Sequence, residues 1–379
     1  MNILIVTPKI SRKGGIERYT TEIANGMINK GHNIYLLTSE MDVDIPEAKI
    51  LKINLPQKPE WLKVLIFALK SYTQIKKIKK QFPIDLVVSN GSATFLADVV
   101  IAHSVHIDSI IKTNKINSTE SKSLMVFLRG LFRYVWPKNL AINFVELIAY
   151  KKAKNIIAVS SEIKKDLQKS FNIRSSKITV VPNGVDIEKF HPNTLYREEV
   201  RKKYNVNENI FLILFVGHEF KRKGLEYVIR ALPLVSNNIT LIIAGNDSLY
   251  PYNELIEKLN IKEKIVFLGP VESNIEKLFA SADLFILPTQ YEPFGLVYIE
   301  AMSSGVPVLA TKTEGPVEFV KNGYNGYFIN RDEKDIADKI KLVMEDKMSN
   351  KMKQNARETA IQYTWENTIE KTLEVFKKQ

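Results

Sequence analysis

Two glutamates eight residues apart, Glu292 and Glu300, stand in the segment Gln290-Tyr291-Glu292-Pro293-Phe294-Gly295-Leu296-Val297-Tyr298-Ile299-Glu300-Ala301-Met302. An aliphatic run at 284–287 precedes them and reads as a strand, and a helix is expected to open at about Gly295. A helix N-terminus presents unpaired N–H groups and a partial positive charge, which suits a diphosphate. Gly295 lets a ligand approach the backbone closely, so Phe294, Gly295, Leu296 and Val297 are the expected contact stretch. One carboxylate before the helix and one within it can flank an extended ligand, because carboxylates accept paired hydrogen bonds from sugar hydroxyls.

A second cluster is cationic. Phe215-Val216-Gly217-His218-Glu219-Phe220-Lys221-Arg222-Lys223-Gly224-Leu225 follows another apolar run and leads into a helix expected from Gly224. Arg222 offers phosphate a planar fork and Lys223 a point charge. Asn246, in Ala244-Gly245-Asn246-Asp247, and Val271, in Gly269-Pro270-Val271, end two further strands, where a flat base would lie against backbone. Near the start of the chain, Lys13-Gly14-Gly15 turns after the first apolar run. It does not complete G-x-G-x-x-G, and no G-x-x-x-x-G-K-[ST] is present, which argues against dinucleotide oxidoreductases and P-loop nucleotidases. His103 and His106 close an apolar run at 98–103; a strand splays such ligands apart and Asp108 is the nearby carboxylate, so no metal is expected there. Asp42-Val43-Asp44 falls in a polar loop and makes no convincing cation site.

These residues need elements to position them. Apolar runs predict strands at 3–6, 33–38, 85–89, 98–103, 155–159 and 177–181, with a helix over 17–30 that Gly31 stops. A second series predicts strands at 211–217, 241–244, 265–268, 284–287 and 306–310, with a helix over 224–234. Continuous aliphatic and β-branched strands alternating with helices mean parallel sheet buried on both faces. The expected architecture is two Rossmann-like, doubly wound α/β domains, 1–188 and 189–363, facing each other across a cleft, with a polar linker over 182–204.

The chain has 379 residues and no cysteine, which removes disulfides, thiolate metal sites and cysteine nucleophiles and fits a reducing cytoplasm. The opening residues lack the features of a secretory leader and no long apolar span occurs, so a cytoplasmic protein is expected. The formal net charge is +12; residues 1–190 hold 29 basic and 16 acidic residues, and residues 191–379 hold 25 and 26. The basic excess in the first half implies an anionic partner there. Two stretches, 61–80 and 123–154, mix Trp, Phe and Leu with lysines and arginines. At least one is expected to rest on an anionic membrane, at the inner face of the plasma membrane; the alternative is that both pack on a sheet and leave their lysines in water. No aromatic–basic stacking motif points to nucleic acid.

The segment EPFGLVYIEAMSSGVPVLAT, with Glu292 and Glu300 as its E-x7-E pair, resembles family 4 of the retaining GT-B glycosyltransferases, specifically enzymes of the lipopolysaccharide-core and capsule type. The likeness extends over nearly the whole chain, tightest at 210–330 and loosest at 40–150. It implies a GT-B fold and transfer of a hexose or N-acetylhexosamine from a nucleotide-diphosphate sugar, with UDP the expected base, to a glycan or lipid-linked acceptor. In the family the first glutamate contacts the donor sugar and the second the ribose, roles that fall on Glu292 and Glu300. Lys223 matches the family's diphosphate-binding lysine. His218 stands where the family has an arginine, and Arg222 is the expected substitute. Gly14 and Gly15 match a glycine loop that approaches the donor phosphate, and a histidine near the donor sugar corresponds to His103 or His106, with His103 favoured. No obligatory metal or other cofactor is implied. Tyr363-Thr364-Trp365-Glu366 and a helix over 364–379 resemble the family's last helix, which packs back on the first domain. Two other classes compete: a sugar-nucleotide 2-epimerase of the same architecture, and a non-catalytic basic anion-binding protein, which leaves the two glutamates unexplained.

Overall fold

A computed structural model describes residues 1–11, 14–56, 59–91, 93–120, 130, 132–133, 135–236 and 238–378, with backbone alone at 60, 61, 118–120 and 346–349. The chain forms two compact units, Met1–Asn183 with Trp365–Gln379, and Gly184–Thr364. The first division falls a few residues before the expected 188, because Val185 already pairs with Thr364 and donates its N–H to the Tyr363 carbonyl.

The first unit is a seven-stranded, wholly parallel sheet of β1 (Asn2–Val6), β2 (Asn33–Thr38), β3 (Lys49–Lys52), β4 (Leu86–Asn90), β5 (Val99–Ala102), β6 (Asn155–Ala158) and β7 (Ile178–Val180). Their spatial order is β3-β2-β1-β4-β5-β6-β7, and Leu4 of β1 faces Tyr35 on one side and Val87 on the other. The edge strand β3 was not anticipated, since Lys-Ile-Leu-Lys is half polar. Helix α1 (Gly15–Asn29) buries Tyr19, Ile23, Ala24 and Met27 at helical spacing. Helix α2 (Glu60–Gln81) sends Phe67, Ile75 and Ile78 into a core with Leu4, Val6, Leu37 and Val87. Each such side chain contributes roughly 1.5–3 kcal/mol on burial, which is why this helix lies on the sheet with its lysines outward. Helices α3 (His106–Glu120), α4 (Pro137–Lys152) and α5 (Ser161–Phe171) follow, the last capped by Ser160 accepting from the Ile163 N–H at 3.3 Å. Among the described residues no helix is long and apolar enough to cross a membrane.

The second unit opens with α6 (Thr194–Lys203), a helix inside the stretch expected to be linker. Its six-stranded parallel sheet holds β8 (Phe211–Val216), β9 (Ile239–Ala244), β10 (Ile265–Gly269), β11 (Leu284–Leu287), β12 (Val308–Ala310) and β13 (Gly326–Phe328), in the order β10-β9-β8-β11-β12-β13. The intervening helices include α7 (Phe220–Lys223), α8 (Leu225–Ala231), α9 (Asn253–Lys258), α10 (Ile275–Ser281), α11 (Leu296–Ser303), α12 (Glu333–Met344) and α13 (Asp346–Ala360). The chain then returns to the first unit as α14 (Trp365–Phe376), whose Ile369 side chain lies against Gly26 of α1 and would have to shift to admit a Cβ there. Thr368 of α14 donates to the Pro182 carbonyl at 2.9 Å.

Candidate active site

In the second unit the strand order reverses between β8 and β11, which pair with Ile213 opposite Leu284. At such a reversal the loops beyond the strand ends part to opposite faces, and ligands bind in the crevice so made. The loop after β8 passes Gly217 and His218, turns at Glu219 with φ +56°, forms the single turn α7, and turns again at Gly224 with φ +81°. A Cβ on Gly224 would run into the Pro288 carbonyl, so only glycine lets the two loops touch here. Arg331 fastens them further, donating to the Pro288 carbonyl at 2.5 Å and the Arg222 carbonyl at 3.1 Å while its guanidinium lies 4.8 Å from the Tyr227 ring.

The closeness of the loops brings Lys223 and Glu292 into a direct ion pair, both side chains largely buried. Buried charges of this kind are tolerable because each is the other's counter-ion. Arg222 beside them is held by Glu219 (Nε–Oε2 2.8 Å) and donates to the Tyr291 carbonyl at 2.7 Å. Past Glu292, Gly295 takes φ +86° as the N-cap of α11, whose first residues are Leu296 and Val297. Glu300 is buried on that helix. Tyr298 donates to the Leu287 carbonyl at 2.5 Å, and burial, reinforced by the Glu292 charge, holds its hydroxyl pKa well above the ordinary range. Phe294 is buried against Phe319 with ring centroids 5.7 Å apart. At the neighbouring strand end the exposed Asn246 donates its backbone N–H to His218 Nδ1 at 3.3 Å, and Val271 is half-buried beyond β10. The structure therefore gathers Lys223, Arg222, Glu292 and the start of α11 around one crevice.

In the first unit the order reverses between β1 and β4. Gly14, with φ +96°, caps α1 and is exposed like Gly15; Lys13 lies outside the described residues. Asn90, ending β4, bonds the Thr20 hydroxyl of α1, and its Oδ1 lies 2.5 Å from His103 Nε2. The His103 ring meets Tyr19 edge-on at 4.8 Å, and Tyr19 meets Trp365 of α14 at 6.0 Å. Burial pushes the His103 imidazole down to about 3, so it is neutral at physiological pH. His106 instead starts α3; its Nε2 lies 3.0 Å from Asn139 Oδ1, and its N–H donates to Glu146 Oε2 at 3.0 Å. Desolvation, with the charges of Lys138 and Arg133 adding to it, lowers the His106 pKa. Glu146 is itself raised to about 8, first by burial and then by the Asp108 charge, with the His106 N–H opposing.

Residues 196–359 match the model of glycosyl transferases group 1, and residues 13–189 match that of glycosyltransferase family 4. An uncharacterised glycosyltransferase of Methanocaldococcus jannaschii, MJ1607, is 29% identical over 100% of this chain and 98% of its own. The chain belongs to the group 1 glycosyltransferases. An Escherichia coli protein, the UDP-Gal:alpha-D-GlcNAc-diphosphoundecaprenol alpha-1,3-galactosyltransferase, is 27% identical to this transferase over 77% of the chain and 75% of its own length. The crystal structure of WaaG, a glycosyltransferase involved in lipopolysaccharide biosynthesis, superposes with a TM-score of 0.81 at 20% identity, covering 98% of this chain and 99% of that one. The fold is GT-B.

Sequence reasoning passed over three residues of this transferase. Glu314 Oε2 accepts the Glu292 N–H at 3.3 Å, Arg331 joins the two loops, and Asn90 holds His103. Glu314 precedes a glycine, Gly315, whose N–H donates to the Glu292 carbonyl at 2.8 Å and which has no room for a Cβ against Phe294. That Glu-Gly pair was a legible signal; nothing near Arg331 was.

Proposed function

We propose that this transferase is retaining and moves a hexose or N-acetylhexosamine from a UDP-sugar to a glycan or lipid-linked acceptor in cell-surface polysaccharide or lipopolysaccharide synthesis, at the inner face of the membrane. The observation that carries the proposal is the buried Lys223–Glu292 pair at the strand-order reversal, one turn of chain before a helix that bears Glu300. Glu292 takes the donor sugar hydroxyls and Glu300 the ribose. Lys223, Arg222 and the N–H groups of Gly295, Leu296 and Val297 take the diphosphate, with Asn246 and Val271 beside the base. In the reaction the bond from the sugar C1 to the phosphate oxygen breaks, and C1 bonds to the acceptor oxygen on the same face. The acceptor proton passes to the departing phosphate. Lys223 and the α11 amides stabilise the charge that develops on the diphosphate, a role that asks for no metal. His103, neutral and fixed by Asn90, is the histidine this proposal favours over His106, and Gly14 and Gly15 keep the phosphate role of the family's glycine loop. The UDP-galactosyl donor and undecaprenyl diphosphate acceptor of the Escherichia coli relative support the donor base and acceptor class.

Thermal melting with UDP, GDP, ADP and CMP tests the donor. UDP at a hundred times its Kd should stabilise the protein by about 2.7 kcal/mol, and Glu300→Ala should abolish that shift. Stabilisation by another nucleotide alone would replace the base, and no shift with any would sink the donor site. The anomeric coupling in the product's proton NMR spectrum decides retention: an inverted linkage would end that part of the proposal.

A further inference from the structure

The two basic, aromatic stretches of the first unit separate in the structure. The first is α2, whose Phe67, Ile75 and Ile78 are spent on the sheet core, with Leu69 alone among its described apolar side chains strongly exposed. The second contains α4, which buries Ala141, Val145 and Ala149 on one face and leaves large apolar side chains of another face in water. Trp136, Leu140 and Phe144 recur every fourth residue, hence on one face, and are 63%, 52% and 54% exposed. Phe132 and Val135 just before them are 66% and 61% exposed, and the Phe95 ring, 6.2 Å from that of Phe144, extends the stripe. A soluble surface scatters such residues singly; a contiguous patch marks a contact. Its charge says with what. Between Glu120 and Glu146 the chain has no acidic residue and four basic ones, Lys122, Arg129, Arg133 and Lys138. Arg133 and Lys138 are exposed, and among the described residues neither has a carboxylate partner. The acidic member of this helix, Glu146, is buried. Residues 121–129, 131 and 134 of the stretch lie outside the described residues.

We infer that α4 is a lipid-docking helix: Trp136, Leu140 and Phe144 enter the interface of an anionic bilayer while Arg133 and Lys138 meet its headgroups. This deepens the proposed acceptor class, since an enzyme seated on a bilayer takes an acceptor anchored in it, but the docking is measured without donor or acceptor. Flotation of the full chain with vesicles of phosphatidylcholine and phosphatidylglycerol (7:3) is expected to carry protein upward at low salt. Pure phosphatidylcholine and high salt should each reduce binding several-fold. The triple variant Trp136→Ser/Leu140→Ser/Phe144→Ser should lose at least tenfold in vesicle affinity while keeping its melting temperature and its response to UDP. Trp136 emission should shift to the blue with vesicles, and Trp136→Phe should remove that shift. Absence of binding to anionic vesicles, or binding unchanged in the triple variant, overturns the inference. A concentration-dependent dimer, seen by light scattering and dissolved by the triple variant without vesicle binding, would give the stripe to a second copy instead. Loss of the UDP response in the wild type would strike the donor proposal and leave the docking result standing.

Discussion

The crevice beside β8 and its counterpart beside β1 rest on the same strand order, yet they collect different chemistry. In the second unit the reversal gathers ions: Lys223 against Glu292, Arg222 against Glu219. In the first it gathers neutral groups in a chain of contacts, Thr20 to Asn90 to His103 to Tyr19. Among the described residues the first unit's reversal groups these neutral side chains, while lysines of the same unit stand exposed along α2. Topology decides where loops part; the residues placed there decide whether the spot handles charge or holds a neutral ring.

The sharpest way to break this contrast is to remove one ion. Lys223→Met leaves the Glu292 carboxylate largely buried without its partner and should cost about 3 kcal/mol in urea unfolding, whereas Lys223→Met with Glu292→Gln should recover most of it. A single-variant cost no larger than that of a surface change would mean the pair is not what holds the two loops. The neutral side is tested by acid. Folded His103 stays unprotonated while the unfolded imidazole takes up a proton below about pH 6.5, so unfolding binds a proton and stability falls as pH drops from 6.5 toward 3. Between pH 7 and pH 5 the loss should be about 2 kcal/mol, and His103→Gln should flatten that slope. A smaller effect, about 1 kcal/mol, is expected from Gly295→Ala, which forces a side chain into φ +86° and toward Tyr298 and Glu292. Gly31→Ala, at φ +79° in open space, should cost a similar amount and leave any nucleotide response intact.

Much of this was legible because local chemistry and fold agreed. The aliphatic run at 284–287 is β11 residue for residue, and Gly295 caps the helix where the pattern placed its start. The contact of Lys223 with Glu292 spans 69 residues and depends on β8 and β11 being neighbours, which no local pattern states. Arg331 reaches the Arg222 carbonyl from 109 residues away out of an unremarkable polar turn. The stretches at 61–80 and 123–154 read alike in composition, since both mix aromatic residues with lysine, and only the packing tells which apolar face is already used. The chain passes between units at Asn183, inside the stretch expected to be linker, but α6 was not anticipated there: Asn193 caps it, accepting from Tyr196 at 3.0 Å, while its surface is as polar as a loop's.

The return of α14 to the first unit bears on how the protein is made. The face of α1 that receives Ile369 and Trp365 is complete only when a segment synthesised after the entire second unit arrives. At ribosomal rates of roughly 5–20 residues per second, the ~180 intervening residues hold that face open for on the order of 10–40 s. For that interval Tyr19, the ring against His103, lacks the cover of Trp365, and the apolar face of α1 stays open.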